Sequence, residues 1–374
     1  MRENIFMTGG MGMVGREIVS LLLQRTDAAV NLLIHENGLA AGREVILETI
    51  CASPATSDYV ERLNIFNGDI TQQNLGLPDS EYQDLTGKIT HVIHAAASTR
   101  FDLPLREARR INVSGTGNVA KFALGCRHTP HFGFISTAYV SGKRTGQIKE
   151  TELEHTAGFV NSYEQSKCEA ELSLRDFSGR VPISVYRLTT VIGDSRTGVV
   201  SHFIAPHQAI RIMYLGLGAM TPGTPGYEVD LIASDYAAET IFRLYWEKFV
   251  PDRVFHITHG RGSFTLQEII EENYRVLGRV DPEWLKRDYP LPAIVNAETF
   301  DLFMKSAEVA KNPIVKRTLR TLNSFSGQLV YPKEFDRMQL NAILPDYEDR
   351  LPNIRDYYGK VIEHCVRTNW GKSQ

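Results

Sequence analysis

The chain has 374 residues, 43% hydrophobic and 23% charged, and its 41 Lys and Arg against 44 Asp and Glu leave a formal net charge of −3. That length suits about two domains or one large two-lobed enzyme, and the composition excludes disorder, collagen and coiled coil. The charge argues against a nucleic-acid binder, and no apolar run approaches the ~20 residues that a membrane span needs.

Asn4–Met7 reads as a short apolar strand running into glycines, with no charged segment leading into an apolar one, so no secretory signal is expected. Val14–Gln24 has helical spacing, and Val30–Ile34 is a continuous apolar run, as in a strand buried on both faces. Arg43–Ile50 predicts a helix, Leu63–Phe66 a strand ending at Asn67-Gly68-Asp69, and His91–His94 a further strand. Arg106–Cys126 predicts one long helix, with Phe132–Ile135 and Ile183–Tyr186 as the fifth and sixth strands. This alternation implies an α/β fold, a doubly wound parallel (Rossmann) sheet with right-handed crossovers.

After Gly193 the rhythm loosens. Thr221–Gly226 reads as a turn-rich loop, Asp235–Trp246 as a helix and Val254–Ile257 as a late strand returning to the sheet. From Ser263 the pattern is mostly helical, broken by Pro282, Pro290, Pro292 and Pro313. The expected division is a dinucleotide-binding domain of residues 1–193 plus 229–259, and a smaller, mostly helical substrate lobe of 194–228 plus 260–374. Cys51, Cys126, Cys168 and Cys365 are scattered, without CxxC or metal spacing, and read as reduced thiols of a cytoplasmic protein with no metal.

Thr8-Gly9-Gly10-Met11-Gly12-Met13-Val14-Gly15 stands between the first strand and the first helix. Gly9 permits the tight turn, Gly12 lets the backbone approach a pyrophosphate, and Gly15 lets the helix pack against the sheet. The helix N-terminus then offers N–H groups to phosphates. At the end of the second strand, Ile34 cannot accept a ribose hydrogen bond, and His35, helped by Arg16 or Arg43, suits a 2′-phosphate. NADP(H) is therefore favoured; Glu36, one residue later, keeps NAD(H) as the alternative.

Tyr163 and Lys167 lie four residues apart, on one face of a helix. A nearby ammonium is expected to lower the phenol pKa toward the working pH, and the same lysine can hold the nicotinamide ribose. Thr137, at the end of the fifth strand, sits at the carboxyl edge where ligands bind, so Thr137 and Tyr163 can share one substrate oxygen.

These residues resemble the extended short-chain dehydrogenase/reductase superfamily and, more narrowly, its thioester-reductase branch of fatty acyl-CoA reductases, carboxylic acid reductases and terminal reductase domains of polyketide and peptide synthases. Besides the glycine turn and Tyr163…Lys167, the resemblance is carried by Gly68-Asp69-Ile70, His91–Ala97, Phe101-Asp102, Ile111–Thr116, Ser136–Gly142 and Val191–Gly198, across about residues 4–260. It implies that Asp69 and Ile70 flank the adenine and that Ala95, Ala96 and Ala97 line the cofactor. It implies catalytic roles for Asn112, Thr137, Tyr163 and Lys167. The family usually has Arg-Pro where this chain has Arg187-Leu188-Thr189, in a loop beside the nicotinamide that includes Leu188 and Val191.

The implied reaction is reduction of an acyl thioester, on CoA or an acyl or peptidyl carrier protein, to an aldehyde or onward to an alcohol. The same scaffold also serves free ketones and aldehydes, nucleotide-sugars, or a non-catalytic dinucleotide sensor. Ala138 and Tyr139, where a dehydratase carries an acid, argue against a dehydratase. For a carrier protein, Arg106, Arg109 and Arg110 form one candidate basic patch, and Lys311, Lys316, Arg317 and Arg320 another. A monomer or homodimer is expected.

Overall fold

Seven parallel strands form the central sheet in a computed structural model that describes residues 2–35, 57–308 and 326–371. They are β1 (Asn4–Thr8), β2 (Ala29–Ile34), β3 (Leu63–Asn67), β4 (His91–His94), β5 (His131–Thr137), β6 (Ile183–Leu188) and β7 (Arg253–Ile257). Their order is β7-β6-β5-β4-β1-β2-β3, so the winding reverses between β1 and β4. A crevice opens at the carboxyl ends of the strands at such a reversal.

Strand alternation sends side chains to opposite faces, and both faces are covered. Ile5 and Met7 join one buried cluster, whereas Phe6 joins the other and packs on Phe122 with ring centroids 4.4 Å apart. The first face is covered by α1 (Met13–Arg25) and α5 (Ser234–Phe242). The second carries α2 (Asp79–Lys88), α3 (residues 105–125) and α4 (Ser162–Leu174). Each fully buried Phe or Ile stabilises the fold by roughly 1.5–3 kcal/mol. Tyr357, Val361 and Cys365 of the C-terminal helix α6 (Ile354–Arg367) belong to the same cluster as Ile5, so the last helix shares the core of the sheet.

Two elements differ from their sequence patterns. The long helix of residues 105–125 contains a π turn at Arg110–Ser114, and such single-turn widenings concentrate at functional sites. Within the expected loop Thr221–Gly226, Met220–Pro222 pairs in parallel with Ala293–Val295. Its partner is distant in sequence and Pro222 reads as a breaker, so no local signal marks that strand. A second short ladder joins Gly146–Ile148 to Lys333–Phe335. Arg43–Ile50, Cys51 and Pro313 lie outside the described residues. Among the described residues, no helix is long and apolar enough to cross a membrane.

Candidate active site

The glycine turn closes tightly on the loop after β4. A Cβ on Gly9, which has φ +73°, would lie 2.4 Å from the Ala96 nitrogen, and one on Gly15 would lie 2.1 Å from the Gly9 oxygen. A Cβ on Gly12 meets only the Gly9 oxygen, at 3.3 Å, so that side of the turn is open. No side chain caps α1. Its first N–H groups therefore remain available to a phosphate. A dinucleotide pyrophosphate fits this cradle. Gly10 faces Leu32, Val14 is buried, and Met11 and Met13 are half-buried against the core.

A chain of buried hydroxyls and one histidine fixes the neighbouring loop. The Thr8 hydroxyl pairs with His94 Nδ1 at 2.7 Å, and His94 Nε2 pairs with the Thr116 hydroxyl at 3.0 Å. Burial pushes the His94 pKa down to about 3, with the Lys167 charge adding to the fall, so this ring stays neutral. Ala95 and Ala96 donate backbone N–H bonds to the Thr8 carbonyl and hydroxyl. Ala95, Ala96 and Ala97 are half-buried. In the π turn, Asn112 accepts from the Ser98 N–H at 2.8 Å and donates to the Ser98 carbonyl at 3.1 Å and the Ser166 hydroxyl at 2.9 Å. Its side chain thus ties the loop after β4 to α4, one residue from Lys167.

Thr137 ends β5 in register with Leu188, whose carbonyl accepts from the Thr137 hydroxyl at 3.2 Å. Tyr163 lies near enough to Thr137 for that side chain to act on its phenol. Lys167 Nζ donates to the Ile135 carbonyl at 2.8 Å and lies 3.9 Å from the centre of the Phe134 ring. The expected depression of the phenol pKa is not seen. Burial pushes Tyr163 up to about 12, against the opposing hydrogen bond from Thr137, while burial brings Lys167 down to about 7. Desolvation outweighs the opposing influences, Thr137 on the phenol and the Glu171 charge on the lysine.

Glu171, which the sequence did not single out, and several residues named only for the resemblance support this site. Glu171, one turn beyond Lys167, pairs with Arg187 of β6 at 2.7 Å, and both side chains are buried. Ser136 donates to the same carboxylate. Phe101 lies against Tyr163, with centroids 5.6 Å apart, and Tyr139 shares a hydrogen bond of 2.9 Å with Thr190. An i+4 carboxylate after the lysine was the available signal for Glu171; Arg187 was marked only by the family's Arg-Pro position, not as a partner of Glu171.

The remaining expected contacts are dispersed. His35 is exposed at the end of β2, and Asp69 is held by the Thr71 N–H at 2.8 Å. Ile70 is buried against Gly115, and Leu188 and Val191 turn into the core. Arg16 sits in the first turn of α1. Arg109 is paired with Glu169 and Arg110 with Glu107, which removes most of the basic character expected of that helix. Glu36, Arg43, Lys311, Lys316, Arg317 and Arg320 lie outside the described residues.

Fold and turn together define a doubly wound, dinucleotide-binding α/β protein. The chain belongs to the NAD-binding family described as male sterility protein, which it matches over residues 7–241. It is 24% identical over 280 residues to the fatty acyl-CoA reductase wat of Drosophila melanogaster, covering 66% of this chain and 54% of that protein. It is 26% identical over 375 residues to a component of the linear gramicidin synthase of Brevibacillus parabrevis, covering 97% of this chain and 7% of that protein. The chain thus spans about half of the first relative and a small part of the second. Among solved structures, the terminal R domain from the myxalamid PKS-NRPS biosynthetic pathway has a similar fold, with TM-score 0.78, 22% identity and coverage of 99% of this chain and 92% of that one. Bordetella bronchiseptica WbmG in complex with NAD superposes with TM-score 0.60 and 21% identity, covering 97% and 96%.

Proposed function

We propose that the chain reduces an acyl thioester to an aldehyde with a reduced nicotinamide dinucleotide, NADP(H) in preference to NAD(H). The observation that carries this reading is Thr137 at the carboxyl end of β5, with Tyr163 near it and the buried Lys167 anchored to the same strand. The relatives named as an acyl-CoA reductase and as a gramicidin synthase component support the thioester. Exposed His35 at the end of β2 supports the 2′-phosphate. The bound nicotinamide supplies hydride.

Tyr163, protonated at neutral pH, gives its proton to the oxyanion that develops on the substrate carbonyl. Thr137 turns its hydroxyl from the Leu188 carbonyl to the same oxygen. Lys167 holds the cofactor ribose, and Asn112 positions the loop and helix around it. The thiohemiacetal then expels its thiol and leaves the aldehyde. A second hydride would give the alcohol. The described residues of 194–228 and of 260–371 shape the acyl pocket, and the substrate arrives on CoA or on a carrier protein in the cytoplasm.

The test is oxidation of NADPH and NADH with a panel of acyl-CoA and acyl-pantetheine thioesters, run beside simple aldehydes and ketones, with aldehyde product trapped. Thioester-dependent oxidation supports the reading. Turnover of free carbonyls alone overturns the thioester step.

A further inference from the structure

The residue after Tyr163 is a buried carboxylate. Glu164 is 2% exposed. It accepts from the Val160 N–H and the Asn161 amide, each at 3.0 Å, and from the Gln328 amide. Gln328 Oε1 accepts in turn from Lys333 Nζ at 3.0 Å, and Lys333 also donates to the Tyr331 carbonyl at 3.0 Å. Lys333 is 5% exposed and begins the strand that pairs with Gly146–Ile148. One amide therefore bridges a buried carboxyl group, pushed up to about 7 by burial, and a buried amine, brought down to about 8 by burial, that are far apart in sequence.

Burying two ions costs several kcal/mol each, and an apolar pair would hold the chain here at less cost. Their location suggests what they do. Asn161 caps α4 by accepting from the Glu164 N–H at 3.0 Å, so the network fixes the first helical turn, which carries Tyr163. The charged and titratable groups facing Glu164 are Lys333 from the C-terminal segment, Tyr139 from the turn after β5, and Tyr163 itself. Burial raises the pKa of both tyrosines, and the Glu164 charge adds to the rise.

We propose that Glu164, Gln328 and Lys333 form one relay through which residues 326–335 hold Tyr163 in its proton-donating pose. The proposal rests on Tyr163 being the proton donor, and it makes Glu164 and Gln328 positioning residues.

The test is a double-mutant cycle of Glu164→Gln and Lys333→Met, read as kcat for a simple aldehyde with saturating NADPH. Each single variant is expected to lose about tenfold in kcat, since small misplacements of a catalytic group cost rates of that order or more. Cofactor Kd should not change. The double variant should be no slower than the slower single one, and Lys333→Arg should recover most of the rate. In Glu164→Gln the alkaline limb of the kcat profile should move to lower pH, because the charge that raises Tyr163 is gone. Losses that multiply in the double variant, or a lowered Tm with kcat and the pH limb unchanged, would overturn the relay. Should Glu164→Gln fail to fold, Gln328→Leu cuts the bridge and is read in the same way. An aldehyde uses the same phenol as a thioester, so absence of thioester turnover alone counts against the substrate reading and not against the relay.

Discussion

Lys167 Nζ donates a 2.8 Å hydrogen bond to the carbonyl oxygen of Ile135, two residues before Thr137 on the same strand. The lysine is therefore anchored to the strand that carries the hydroxyl, in surroundings that bring its pKa down to about 7 through burial, against the opposing Glu171 charge. Between pH 7 and the ordinary value of 10.5 the unfolded chain binds a proton there that the folded chain does not. Stability accordingly rises with pH across that window. Chemical unfolding at pH 7 and pH 9.5 should show a gain in the wild type that exceeds the gain in Lys167→Met by about 3 kcal/mol. Equal gains would mean that the lysine is not held as described.

The glycine turn separates two roles. Gly15→Ala places a Cβ against the Gly9 carbonyl and should destabilise the protein, visible as a lower Tm without cofactor. Gly12→Ala requires only a small shift of the same carbonyl, so the fold should survive. Its methyl group occupies the open side of the cradle, and cofactor Kd should rise at least about tenfold, which corresponds to about 1.4 kcal/mol. Unchanged affinity in Gly12→Ala would move the pyrophosphate elsewhere.

The buried pair of Glu171 and Arg187 is costly to break from one side. Arg187→Met leaves a carboxylate without its cation and should cost about 3–5 kcal/mol in urea unfolding. Arg187→Met combined with Glu171→Leu should recover much of that loss. A double variant as unstable as the single one would contradict this account of the pair.

His207 reports on acid. Its ring is buried, with Nδ1 accepting from the Ile204 N–H at 3.0 Å and Nε2 bonded to the Ile192 carbonyl at 2.9 Å. A proton on Nδ1 breaks the first bond. Burial lowers the pKa to about 4, so stability is lost as pH falls from 6.5 toward 4. His207→Gln should lose less between pH 7 and pH 5 than the wild type, by about 2 kcal/mol.

The doubly wound sheet was readable because its strands are short apolar runs, most of them ending near glycine, alanine or hydroxyl residues. The β1 turn and the placement of Thr137 at the end of β5 and of Tyr163 on α4 were legible for the same reason, since local pattern decides position there. The relay of Glu164, Gln328 and Lys333 was not. Its partners come from distant parts of the chain, and a lone Glu or Lys reads as a surface charge until its burial is known. The phenol pKa was misjudged because the lysine charge was weighed without desolvation, which only packing reveals.

The most direct measurement compares thioester-dependent NADPH oxidation in the wild type and in Tyr163→Phe, with NADPH affinity determined for both by fluorescence. The account predicts that the variant keeps its affinity and loses about 10²–10⁴-fold in kcat, the range for a positioned proton donor. A variant that oxidises NADPH with thioester at the wild-type rate would contradict it.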